Sequence, residues 1–197
     1  MENIALTGES VTGQRKRIHP QKFALWVALG SIVMMFAGMT SAYIVKRNQV
    51  NWQGFDLPVI FWYSTAIIIG SSITVHFAAK AFKNRQMQRY RQLIAATALL
   101  GVAFMVLQVL GFYDIQARGV KLIGQYSNVS GSFLFAITSL HIAHVLGGII
   151  ALLIIFVQAF ARKKRNYSVV PVENMATYWH FVDALWIYLF LFLNWIQ

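Results

Sequence analysis

The sequence predicts an all-α membrane protein, a bundle of five transmembrane helices, and three observations lead there. Hydrophobic residues make up 58% of the chain and charged residues 12%, against about 25% charged in an ordinary soluble domain. The apolar residues gather into five runs, each long enough to cross about 30 Å of hydrocarbon at about 1.5 Å per residue. No stretch shows the alternation of a half-buried strand, and helices satisfy their own backbone groups inside lipid.

Residues 1–22 are polar and basic, with Thr7, Gly8, Ser10 and Gly13, and predict a mobile arm. Residues 23–197 then form a single transmembrane domain. Its first span is Phe23–Val45, with Pro20 just ahead of it. The second is Leu57–Ala79, with Pro58 in its first turn, where a missing N–H breaks no hydrogen bond. The third is Leu93–Tyr113. Phe133–Phe160, the fourth, is longer than a bilayer needs, so it tilts or its ends emerge. The fifth is Tyr178–Ile196. Between them lie linkers at Lys80–Gln92 and Ala161–Thr177 on one side, and on the other a loop at Asp114–Ser132 with Gly119, Gly124 and Gly131. Asn128-Val129-Ser130 fits a glycosylation pattern and is read as a chance match. The first apolar run begins too late and runs too long for a secretory peptide.

Net charge is +11, which in a soluble protein would suggest nucleic acid. Here the basic residues are parcelled between apolar runs, and that distribution reads as topology. Of the 17 lysines and arginines, 13 fall in the arm and in the linkers after the second and fourth spans, and 4 on the opposite side. The positive-inside rule places the N-terminus in the cytoplasm and the C-terminus outside, and the cell membrane of a bacterium is the expected location. The runs Arg15–Arg17 and Arg162–Arg165 also suit anionic lipid. With no cysteine, disulfides, iron–sulfur clusters and thiolate metal sites are excluded.

Polar residues inside the spans carry what chemistry there is. Asp183 lies about 7–8 Å into the last helix, with Trp179, His180 and Trp186 on the same face. An acid there is expensive, roughly 2.5–3.5 kcal/mol at a helix centre. It implies either an Asp183–His180 pair that locks helices together or a protonatable or headgroup-binding site. Thr138, His141, Val145 and Gly148 form a stripe on the fourth helix with His144 beside it, and Gly147 and Gly148 suit close helix approach. These histidines read as hydrogen-bonded packing residues. Zinc is a poor alternative, since there is no His-Glu-x-x-His string and no third ligand nearby. Haem is the other, with His76, His141, His144 and His180 as axial candidates. Gln108 is expected to bond across to another helix, and Ser64, Thr65, Ser71, Ser72 and Thr74 back within their own. Trp26, Trp52, Trp62, Tyr63, Tyr178, Trp179 and Trp195 stand near span ends, as interfacial anchors do.

Glu173 followed by Tyr178-Trp179-His180-Phe181-Val182-Asp183 resembles the final helix of subunit III of haem-copper terminal oxidases, the cytochrome c and quinol oxidase family. Three further segments resemble that family in order: Leu57-Pro58 with Ser64-Thr65 and Gly70–Val75; Leu100–Gln108; and Gly131–Phe133 through Thr138, His141, His144 and Gly148. The likeness covers about 140 residues, roughly Leu57 to Ile196, and is to the short five-helix bacterial form. It implies a non-catalytic subunit with no cofactor of its own, beside subunits I and II that carry haem and copper. Such a subunit stabilises the redox subunits and supports proton uptake during oxygen reduction. It also implies bound phospholipid and contact with membrane lipids, and leaves membership of a larger respiratory assembly open. The sequence departs from the family pattern at Ile32, where a buried Glu is common, at Ser41, where an aromatic stands, at Gln158, a lipid-binding Arg position, and at Gly111, often Glu. Two rivals remain at this level: a haem b-binding anchor that transfers electrons, and a small proton-coupled carrier, for which no inverted repeat is seen.

Overall fold

A computed structural model describes residues 20–48, 52, 54–124, 127–161 and 169–196. The described residues form five helices: α1 (Pro20–Arg47), α2 (Ile60–Lys83), α3 (Met87–Ala117), α4 (Val129–Ala161) and α5 (Val170–Trp195). All five are long and apolar enough to cross a membrane. Even α2, with 24 residues, is about 36 Å long. Most of the basic arm and the run Arg162–Arg165 lie outside the described residues, as does Gln197.

The helices outrun the apolar spans because hydropathy marks the lipid-facing length and hydrogen bonding continues past it. The expected linker Lys80–Gln92 shrinks to Asn84–Gln86: Gln86 N–H donates to the Ala81 carbonyl at 2.9 Å and Arg85 N–H to that of Phe82 at 3.0 Å, with Arg85 in the left-handed region at φ 58°. This is the double closure of a Schellman turn, with arginine where glycine usually stands. Gly119, at φ 87°, ends α3 in the same way, with Val120 and Gly119 N–H groups bonded to Ile115 and Gln116 carbonyls. Asn128 begins α4. Its side-chain oxygen accepts the Ser130 N–H at 3.0 Å, so the residues of the glycosylation pattern cap a helix. Gly131, expected in the loop, is inside α4.

Two prolines sit differently from expectation. Pro20 is the first residue of α1 rather than ahead of it. Pro58 precedes α2 instead of standing in its first turn; its carbonyl accepts the Phe61 N–H at 3.0 Å. The fifth helix starts eight residues before Tyr178, at Val170 with Pro171 in its first turn, so Glu173 is helical.

Around α5 the bundle closes. It packs against α1, α2 and α4, while α2 packs on α3 and α3 on α4. Half of α5's apolar window is buried, against 17% of α1's. Helix α1 therefore offers most of its surface, including Met34 and Val27, to its surroundings, and anchors itself through Leu29, Phe36, Thr40 and Tyr43.

Candidate functional site

Trp179, His180, Asp183 and Trp186 point from α5 toward α2. The Trp179 indole N–H donates to Ser71 Oγ at 3.0 Å, and the Trp186 indole N–H to Thr65 Oγ1 at 3.0 Å. His180 Nδ1 and Ser72 Oγ share a hydrogen bond at 2.6 Å. From the Trp179 or the His180 pair to the Trp186 pair, the α5 residue rises by seven or six while the α2 residue falls by six or seven, which is the register of two antiparallel helices facing along one stripe. Such bonds add about 0.6 kcal/mol each in membrane proteins. They set register; packing supplies the hold.

That packing is closest at Trp179. Its ring occupies a slot between two glycines: a methyl group at Gly101 of α3 would stand 2.9 Å from Trp179 Cη2, and one at Gly148 of α4 would stand 3.0 Å from Cζ3. Gly147, expected to share this role, faces open space. Trp179 is buried and is not an interfacial anchor, whereas Trp26, Trp62, Tyr63 and Trp195 are exposed as anchors should be. Trp52 is half-buried against Tyr43, ring centroids 4.8 Å apart.

The five hydroxyl residues expected to bond within α2 do more than that; Thr74, for one, donates to the Ser71 carbonyl and also meets Thr97 Oγ1 of α3 at 2.8 Å. Ser64, Thr65 and Ser71 do bond back to Phe61 and Ile68 carbonyls. Ser64 also accepts from Gln108 Nε2 at 2.9 Å, which ties α3 to α2. Thr65 and Ser71 accept from the two tryptophans, and Ser72 is committed to His180. The signal that could have found them was their spacing: 64, 65, 71 and 72 occupy one helical face.

Asp183 departs from the expected pair. His180 bonds to Ser72, and neither Asp183 carboxyl oxygen has a hydrogen-bond partner although the residue is only 3% exposed. The Ser72 and Ser71 hydroxyls are its polar neighbours. His141 also departs from expectation: it is fully buried and neither ring nitrogen has a partner. Aromatic rings enclose it instead, with centroids 5.1 Å away at Trp186, 5.8 Å at Phe104 and 6.4 Å at Phe36. Thr138, one turn before it, is buried with its hydroxyl unpartnered. His144 Nδ1 is 2.7 Å from the Leu140 carbonyl, and the Tyr178 hydroxyl donates to the His144 carbonyl.

At the end of the bundle where α1 and α5 begin and α2 stops, Glu173 bridges Lys22 of α1 at 3.0 Å and Lys83 of α2 at 2.9 Å. These side chains are part-exposed, so each pair contributes little to stability. Together they rim a cavity of about 530 Å³ that also reaches His76 and His180. Among the described residues, no three His, Cys, Asp or Glu side chains cluster as a metal site would. Ile32 packs half-buried against the core, while Ser41 and Gln158 are exposed.

The sequence pattern of cytochrome c oxidase subunit III matches residues 45–197. This chain belongs to that family. It is 29% identical to a cytochrome c oxidase subunit 3 of Corynebacterium diphtheriae over 206 residues, covering 95% of this chain and 99% of that one. A cytochrome c oxidase subunit 3 of Bacillus sp. (strain PS3) is 25% identical, over 84% of this chain and 80% of the relative. A cytochrome bo(3) ubiquinol oxidase subunit 3 of Buchnera aphidicola is also 25% identical, over 96% and 93%. Subunit III of a respiratory terminal oxidase, with membrane-spanning helices and a place in a multisubunit complex, is thus the family of this protein.

Proposed function

We propose that the chain is the non-catalytic subunit III of a haem-copper oxidase in a bacterial cytoplasmic membrane, with its N-terminus inside and C-terminus outside. It packs beside subunits I and II, which hold the haem and copper, stabilises them, and supports proton uptake during oxygen reduction. It has no cofactor of its own and touches membrane lipid. One observation carries the reading: family membership extends over residues 45–197, and so includes α2 to α5 whole.

Purification through a tag on this chain is the test. The expected result is a complex with haem and copper in its large subunit, and no Soret band on this chain once separated from it. Stoichiometric haem on the isolated chain would replace this reading with the electron-transfer rival.

A further inference from the structure

Three features line up between the cavity and the core of the bundle. His76 of α2 and His180 of α5 both line the cavity, with ring centroids 6.1 Å apart. His180 is joined to Ser72 at 2.6 Å. Beyond Ser72 lies Asp183, buried, with both carboxyl oxygens unpartnered. Exposure falls along that line, from exposed His76 through half-buried His180 and Ser72 to buried Asp183. A buried acid that served only to hold helices would take hydrogen bonds from its neighbours, because an unpaired polar group costs about 1–3 kcal/mol. Ser71 cannot give one: its hydroxyl donates to the Ile68 carbonyl at 2.7 Å while accepting from Trp179. Ser72 makes no bond back to its own helix; its hydroxyl stands between the imidazole facing the cavity and the Asp183 carboxyl group.

We infer that Asp183 is a proton-exchanging site, loaded from the cavity through His180 and Ser72 with His76 at its mouth. The step balances without any further reactant. A hydronium ion in the cavity gives its proton to the free ring nitrogen of His180 and is left as water, Nδ1 passes its proton to Ser72 Oγ, and Ser72 passes its own hydroxyl hydrogen to the Asp183 carboxylate, which becomes the neutral acid. Discharge runs the same bonds in reverse. The charged and titratable groups facing the path are Lys22 from α1, His76, Lys80 and Lys83 from α2, and Glu173 and His180 from α5. Among the described residues, α3 and α4 contribute nothing to the wall of the cavity, and the three lysines against one glutamate make the described rim positive. Imidazole, which changes charge near neutral pH, is therefore the group at this mouth suited to passing protons.

The inference deepens the proton-uptake part of the proposed function and rests on it for its use by the oxidase, but it is tested without turnover. The purified full chain, with whatever co-purifies, is transferred into D₂O, and the carboxyl C=O stretch is followed by infrared difference spectroscopy. The band belonging to Asp183 is the one lost in Asp183→Asn. Ser72→Ala and His180→Phe should each slow its hydrogen–deuterium exchange roughly tenfold or more, as removal of a positioned proton carrier does. Ser72→Thr, which keeps the hydroxyl, should restore the rate. Serine to alanine at a half-buried site keeps the fold, and the Thr variant controls for local damage. The inference is overturned if no exchanging band disappears in Asp183→Asn, or if exchange is equally fast in wild type, Ser72→Ala and His180→Phe. Failure of the chain to co-purify with redox subunits would defeat the proposed function alone, since the band is read on this chain.

Discussion

Gly101→Ala adds a single methyl group, and the structure says where it goes: 2.9 Å from Trp179 Cη2, 3.1 Å from Cζ2 and 3.2 Å from Ile149 Cδ1. Ordinary contacts of a Cβ atom begin at 3.4 Å, so something must move by about half an ångström. Trp179 has no free direction. Gly148 closes the other side of the ring at 3.0 Å, and the indole N–H is held by Ser71. Over-packing of this kind costs about 1–3 kcal/mol, and losing the indole bond would add about 0.6 kcal/mol. Alanine's better helix propensity returns about 0.8–1 kcal/mol. The expected balance is a loss of about 1–2 kcal/mol. Gly147→Ala, with nothing within 4 Å of its methyl, keeps the propensity gain and should be neutral or slightly stabilising. The assay is heating of purified protein in detergent, followed by the fraction that still elutes as a monodisperse peak. If Gly101→Ala survives as well as wild type while Gly147→Ala does not, the slot around Trp179 is not what holds α3, α4 and α5 together.

Trp186→Phe removes the donor to Thr65 and leaves a gap against Phe61 and Phe104; about 1–3 kcal/mol of stability should be lost in the same heating assay. Trp62→Phe, at a 54% exposed site, should stay within about 0.5 kcal/mol of wild type, and equal losses for the two would refute the buried-stripe argument. For topology, a reporter fused after Gln197 should appear external and one inserted at Asn84, in the α2–α3 turn, cytoplasmic. A cytoplasmic C-terminus would sink the orientation drawn from the basic residues.

The helices were legible because the property that makes them, apolar length, is written directly in the sequence. Their ends were not. Arg85 closes α2 in a left-handed conformation that nothing about arginine announces, whereas Gly119 closes α3 with the residue that usually marks such a turn. Span limits failed most at α5, where Glu173, Asn174 and Thr177 are polar yet helical, because hydropathy reports the surroundings of a helix and not its hydrogen bonds. Within the site, the shared face of Trp179, His180, Asp183 and Trp186 follows from spacing alone. Their partners do not, since serine and threonine can bond to their own helix, to a neighbour, or to both, and Ser71 does both. The pairing of Asp183 with His180 failed for a related reason: residues three apart on a helix are neighbours, but the imidazole Nδ1 is engaged by Ser72 of the facing helix at 2.6 Å.

The residues that most resemble subunit III are also those around which the bundle is built. Trp179 fills the slot between Gly101 and Gly148, and Trp186 stacks on Phe61 at 6.3 Å. A motif whose members are so tightly packed identifies an architecture first, and its chemistry has to be argued residue by residue. Three of the four polar members on this face of α5 answer to a hydroxyl on α2: Trp179 to Ser71, His180 to Ser72, Trp186 to Thr65. Packing and register account for the two tryptophans in full, while the His180–Ser72 bond also leads out to the cavity. Asp183 stands between them with no geometric hydrogen bond at either carboxyl oxygen, and an asparagine would fill the same volume without the expense of an acid in lipid. Structure alone gives no reason for a carboxyl group at that position, which is why the proton path from the cavity, and not the helix lock, is the account that explains it.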